Sequence, residues 1–180
     1  MDSNDDAAIV EAQIERPLRA ASTVVARCGL GLPVVVSVPP LLDSGEPFPT
    51  SHWLTCPLAH KRIARLEAAG GVREFDRRAR EEGPFGEALE AAHARYAAER
   101  DARIPADATL KPRGGVAGSR GGVKCLHAHY ADWRAHTGAA PTPVGPEVAE
   151  AIEPLNCTIP CVRVDEGTAT RADDWVEPSG

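Results

Sequence analysis

The spacing of hydrophobic positions changes several times along the chain, and each change marks an element. Ser22-Thr23-Val24-Val25-Ala26-Arg27-Cys28 and Pro33-Val34-Val35-Val36-Ser37-Val38 are β-branched runs on either side of Gly29-Leu30-Gly31-Leu32, which predicts a hairpin. Pro39-Pro40 ends the second run. A turn-rich stretch from Asp43 to Thr50 then leads into a short strand over His52–Cys56, with His52, Leu54 and Cys56 on one face. From Leu58 the period becomes helical: Leu58, Ile63, Leu66 and the alanines between them form a stripe, with Lys61, Arg62, Arg65 and Glu67 outside it or lining a site. Gly70-Gly71 stops that helix, and a second runs from Val72 to about Glu82 before Gly83-Pro84. The longest pattern, Phe85 to about Arg103, carries Leu89, Ala92 and Tyr96 among alternating charges; it reads as a solvated outer helix with His93 on its surface.

Residues 105–122 have no period, and a further helix starts near Lys124 and meets no breaker before Gly138. Pro141 to Pro146 turns the chain, Glu147–Ile152 is a short helix, and the strand-like piece at the end of Asn156–Val164 is expected to dock on the hairpin. The fold class is α+β, a small, largely antiparallel sheet covered by several helices in a single domain over residues 20–165. Residues 1–19 read as a flexible lead-in or a short helix, and 166–180 as a frayed tail.

Composition narrows the function classes. Aromatics are only 4% of a chain that is 43% hydrophobic, so alanine and leucine supply much of the packing, which favours helices. The net charge of −6 argues against a general nucleic-acid binder. No apolar run approaches the ~20 residues of a membrane span, and an N-terminus with Asp2, Asp5 and Asp6 is unlike a secretory signal, so the expected location is cytoplasmic. There, five cysteines point to metal ligation, redox chemistry or burial rather than structural disulfides.

The densest reactive chemistry lies in Arg120-Gly121-Gly122-Val123-Lys124-Cys125-Leu126-His127-Ala128-His129-Tyr130. On a helix beginning near Lys124, Cys125, His129, Asp132 and His136 share a stripe and His127 points elsewhere. In an extended chain Cys125, His127 and His129 share a side instead. Thiolate with imidazole suits zinc, and Cys56, Cys125 and His129 are the metal candidates, with His52, Cys157 or Cys161 as alternatives for the third position. The glycine-rich loop with Arg113, Arg120 and Lys124, joined by Arg65, is an anion candidate, although the G-x-x-x-x-G-K-[ST] pattern is not met. His127 and Asp132 are the catalytic candidates, Asp132 as the group that orients an imidazole, and Cys125 at a helix N-terminus is a third-ranked nucleophile. The competing reading is burial: Cys56 and Cys125 as small hydrophobes, and His129 hydrogen-bonded in the core.

Four blocks carry a resemblance. Pro47-Phe48-Pro49-Thr50 with Trp53-Leu54-Thr55-Cys56-Pro57, then Ile63-Ala64-Arg65-Leu66-Glu67-Ala68-Ala69-Gly70-Gly71-Val72, then Val123-Lys124-Cys125-Leu126-His127-Ala128-His129-Tyr130-Ala131, then Pro143-Val144-Gly145, stand in the order found in the bacterial domain of unknown function 501 family, which the chain resembles. Thr142 stands where that family commonly has asparagine, and no second cysteine follows Cys28 closely. The resemblance implies a family without an activity, and a gene neighbourhood with a septum-formation initiator and an exopolyphosphatase. Two functional expectations follow. One is a pocket joining Cys56, Arg65, Lys124, Cys125, His127 and His129 that binds a small anionic ligand, or hydrolyses a phosphorylated small molecule with zinc. The other is a non-catalytic accessory module docking on a protein partner in cell division or polyphosphate metabolism.

Overall fold

A computed structural model describes residues 3–136, 138 and 141–178, so Met1 and Asp2 of the acidic start and the last two residues of the expected tail lie outside the described residues. The expected hairpin is β1 (Thr23–Arg27) and β2 (Pro33–Ser37), paired antiparallel with Val24 opposite Val36. β3 (His52–Leu54) adds to the other side of β2, so the order is β1-β2-β3. The central strand is the unbroken apolar run, and Val34, Val35 and Val36 are buried, whereas edge strand β1 alternates exposed and half-buried positions.

Among the described residues six α-helices accompany the sheet: α1 (Ser3–Ile14), α2 (Pro57–Ala68), α3 (Gly71–Arg80), α4 (Pro84–Asp101), α5 (Leu126–Ala135) and α6 (Val144–Ile152). The architecture is thus the α+β class that the sequence predicts. The main core joins Val34, Val35 and Leu54 of the sheet region to Leu58 and Ile63 of α2, Leu126 and Tyr130 of α5, and Val148 and Ile152 of α6. Helix α6 starts three residues before the expected Glu147. Pro146 falls in its first turn, where the missing N–H has no intrahelical acceptor to lose. Among the described residues no helix is long and apolar enough to cross a membrane.

Three expectations need correction. The strand-like piece after Asn156 does not dock on the hairpin. As β4 (Val162–Asp165) it pairs with β5 (Thr168–Arg171), from the segment read as a frayed tail, and α1 packs on the resulting sheet through Ile9. Glu166 and Gly167 both have positive φ (45° and 78°), the backbone of a two-residue hairpin turn, so local pairing prevails. Helix α4, read as a solvated outer helix, buries Leu89, Ala92 and Tyr96, and His93 and Arg100 are buried as well. Leu89, His93, Tyr96 and Arg100 lie on one stripe, and the loop over 105–122 covers its polar members. Finally, the central helix starts at Leu126, and Cys125 precedes it with extended backbone (φ −157°, ψ 122°).

Helices α5 and α6 meet closely at Gly145, where an added Cβ would stand 2.2 Å from the Cβ of Trp133. Helix propensity favours Gly145→Ala by about 1 kcal/mol. The overlap is between Cβ atoms, which no rotamer change relieves, so an overpacking penalty of about 3 kcal/mol wins. Urea unfolding of Gly145→Ala is expected to show a net loss of about 2 kcal/mol.

Candidate functional site

Because Cys125 is extended and α5 begins one residue later, Cys125 turns toward His127 rather than His129. On a helix residues two apart lie roughly 200° apart, so His127 and His129 leave on nearly opposite faces. The Sγ of Cys125 is 3.9 Å from Nδ1 of His127, and that Nδ1 is 3.2 Å from Oε1 of Glu67 on α2. The backbone N–H of Leu126 donates to the same Oε1 at 2.7 Å, which fixes the carboxylate at the start of α5. One ligand atom from each of Glu67, Cys125 and His127 lies within 4.8 Å of the others, and among the described residues this is the one such group of histidine, cysteine and acidic side chains.

The hydrogen bonds of His127 add a chemical constraint. Nε2 lies 3.2 Å from the backbone carbonyl of His60, a pure acceptor, so Nε2 carries a proton. Nδ1 then faces the Glu67 carboxylate, and two acceptors at 3.2 Å require a proton or a cation between them. Thiol, imidazole and carboxylate form a donor set that suits zinc, and three protein ligands leave a fourth position open. A histidine whose second nitrogen donates to a backbone carbonyl is the usual support for a metal-ligating imidazole. Burial raises the Cys125 thiol pKa, against the lowering by the backbone N–H groups of Ala128 and His127, so without a cation Cys125 is a poorly activated nucleophile.

Cys125 and His127 line a cleft of about 240 Å³ with Thr50, His52, Trp53, His60 and Ala128. The rings of His60 and His127 are 4.3 Å apart, and burial with His127 nearby lowers the pKa of His60. His52 lines the cleft as well, and its Nδ1 is 3.3 Å from Oδ1 of Asp132. Asp132 is fully buried and is also gripped by Arg95, at 3.0 Å and 2.5 Å. These two partners offset the burial that would raise its pKa and hold the carboxyl below the usual range. Asp132 therefore reaches the cleft through the His52 ring.

His129 is turned the other way and is fully buried, its Nδ1 2.7 Å from Thr142 Oγ1 and its Nε2 without a hydrogen-bond partner. Burial, with His93 nearby, lowers its pKa to about 3. This is the hydrogen-bonded core histidine of the competing reading. His93 accepts the Val116 N–H at Nδ1 (3.1 Å) and donates Nε2–H to the Gly122 carbonyl (3.0 Å), which spends both nitrogens on the glycine-rich loop. At Gly115 the loop passes so close that a Cβ would stand 2.4 Å from Nδ1 of His93.

These neutral histidines give a signed pH dependence. Unfolded histidine takes up a proton below about pH 6.5, while folded His129 stays neutral until about pH 3, so its contribution is whole above pH 6.5 and lost as pH falls. At pH 5 the loss from His129 is about 2 kcal/mol, at 1.36 kcal/mol per pH unit. His93 and His60, also lowered by burial, act in the same sense. Urea unfolding at pH 7 and pH 5 is expected to show this loss, and His129→Gln to flatten the slope.

The remaining candidates are dispersed. Arg65 is bound bidentately by Glu177 at 2.5 and 2.6 Å, away from the cleft lining. Arg113, Arg120 and Lys124 are exposed, Lys124 directly beside Cys125. Strand β3 reaches the cleft through His52, Trp53 and Leu54, but Cys56 is absent from its lining and borders a different cavity with Cys28 and Cys161. The structure thus groups Cys125 with His127 and Glu67, and leaves Cys56 and His129 outside that group. Sequence reasoning missed His60. Its signal was the seven-residue spacing from Glu67, two turns along one face of α2.

A family model described as a protein of unknown function (DUF501) matches residues 24–150. No curated protein and no solved structure matches the chain.

Proposed function

The chain belongs to the DUF501 family, which has no assigned activity, and from that premise we propose that Glu67, Cys125 and His127 bind a single zinc-class ion that faces a cleft for a small polar ligand. The observation that carries this reading is the contact of Nδ1 of His127 with Oε1 of Glu67 and Sγ of Cys125 while Nε2 is committed to the His60 carbonyl. A cation satisfies all three donors at once.

A cleft of about 240 Å³ is smaller than the roughly 300–1,000 Å³ of sites for drug-sized ligands. Its ligand is therefore compact, and a small phosphorylated molecule is the class this reading assigns. Zinc would supply Lewis acidity toward such a ligand or toward water. His52, with Nδ1 held by buried Asp132, is the group placed to move a proton at Nε2, and Asp132 acts as its positioning residue. Lys124 is the basic side chain nearest the cluster in sequence. Arg65, occupied by Glu177, is not assigned to the ligand.

Thermal unfolding of chelator-treated protein tests the reading. Zinc at 100 times its dissociation constant is expected to add about 2.7 kcal/mol. Inorganic phosphate is expected to add a further upward shift only with zinc present. The C125A/H127A variant is expected to lose the phosphate response and the zinc increment due to this cluster. Identical zinc and phosphate responses in the wild type and this variant would rule the reading out.

A further inference from the structure

The other four cysteines, Cys28, Cys56, Cys157 and Cys161, line one small cavity with Gln13, Leu58 and Trp175. They reach it from separate parts of the chain: the residue after β1, the residue before α2, and two points of the irregular segment between α6 and β4. We propose that this cavity is a second metal site, which takes one soft divalent cation of the zinc class on four cysteine thiolates.

Size and lining support a single ion. The cavity volume is about 10 Å³, close to the least that one water-sized sphere needs. Leucines, prolines and Trp175 form most of the rest of its wall. Sulfur ligands from cysteine suit zinc, and three residues separate Cys157 from Cys161, within the two to four usual between paired ligands.

The surroundings supply donors for thiolate sulfur. Gln13 Nε2 donates to Cys161 Sγ at 3.6 Å, and the nearby backbone N–H groups of Ala59 and Leu58 act to lower the pKa of the Cys56 thiol. The Nε1–H of Trp175 is buried without a partner. Without a cation these donors are outweighed at Cys56, where burial pushes the thiol pKa up to about 12. Cation binding reverses that balance and releases the thiol protons to solvent, up to four per ion, with no change of oxidation state.

Closure requires the sulfurs to draw together. No three of the four sulfurs lie within 4.8 Å of one another, whereas a tetrahedron with metal–sulfur bonds of about 2.3 Å has edges of roughly 3.8 Å. Among the described residues, 154–160 make no backbone–backbone hydrogen bond, and the segment that carries Cys157 is held instead by Arg62, through the carbonyls of Ile152 and Pro154 and the side chain of Asn156.

The test uses full-length C125A/H127A, which lacks the cleft ligands, so the outcome does not depend on the proposed cleft site. Chelator-treated C125A/H127A is titrated with cobalt(II) and then zinc. The expected result is one equivalent bound, with a sulfur-to-cobalt charge-transfer band that zinc abolishes. Zinc is also expected to slow alkylation of half-buried Cys28 and Cys157 by iodoacetamide at least tenfold, a readout that needs no further substitution. Adding C28A/C157A is expected to remove the band. Absence of the band in C125A/H127A, or alkylation at the same rate with and without zinc, overturns the proposal. So does a loss of two hydrogens by mass in place of metal uptake, which would identify a disulfide.

Discussion

Asp132→Ala is expected to be among the most destabilising single substitutions in the chain, with a loss of about 3–5 kcal/mol. The carboxylate is fully buried and shared by Arg95 and His52. Its removal leaves the Arg95 guanidinium, whose side chain is only 12% exposed, without its buried counter-charge. Arg95 also contacts exposed Glu99 at 3.0 Å, which compensates little because a pair open to solvent contributes at most about 1 kcal/mol. At roughly 2–4 °C per kcal/mol for a chain of this size, the midpoint should fall by about 6–20 °C. Arg95→Met with Asp132→Leu, which removes both charges, should be much milder than Asp132→Ala alone. A double variant no better than the single one would show that the pair is not the source of the effect.

The other large effect concerns zinc affinity at the cleft. His127→Ala and Cys125→Ala are each expected to weaken binding there by more than about 100-fold, above the 10–100-fold typical of losing a partner outside the ligand set. Glu67→Gln removes the carboxylate charge but keeps an oxygen for the Leu126 N–H, so it should lower affinity with little change in apoprotein stability. His60→Ala is the informative control. His127 is supported by the backbone carbonyl of His60, which the substitution retains, so affinity should change by less than about tenfold. Calorimetric zinc titrations in the C28A/C157A background measure all four. A His60→Ala loss as large as that of His127→Ala would move the ligand assignment to the His60 ring.

The framework of the fold was legible because local signals agreed. Two β-branched runs around a glycine-rich turn could only pair as β1 and β2, and Leu58, Ile63 and Leu66 fixed the inner face of α2. The candidate site was legible only as a neighbourhood. Cys125 and His127 stand in the segment that the sequence singles out, but their grouping depended on whether α5 begins at residue 124 or 126, and an uncertainty of two residues at a helix start is ordinary. That shift separates Cys125 from His129 and brings it to His127. Tertiary contacts decided the rest. His93 looked solvent-facing because charges surround it on α4, yet the loop over 105–122 folds back and uses both its nitrogens. Cys56 and Cys125 lie in matching places, each just before a helix, but border different cavities, which no local pattern encodes.

The ligand assignment is tested most directly by the anomalous difference map of a crystal grown with zinc, collected at the zinc absorption edge. A peak is expected between Glu67, Cys125 and His127, about 2.3 Å from the sulfur and about 2.0–2.2 Å from the nitrogen and carboxylate oxygen. A map without density there, with His127 still in direct contact with Glu67, would contradict it.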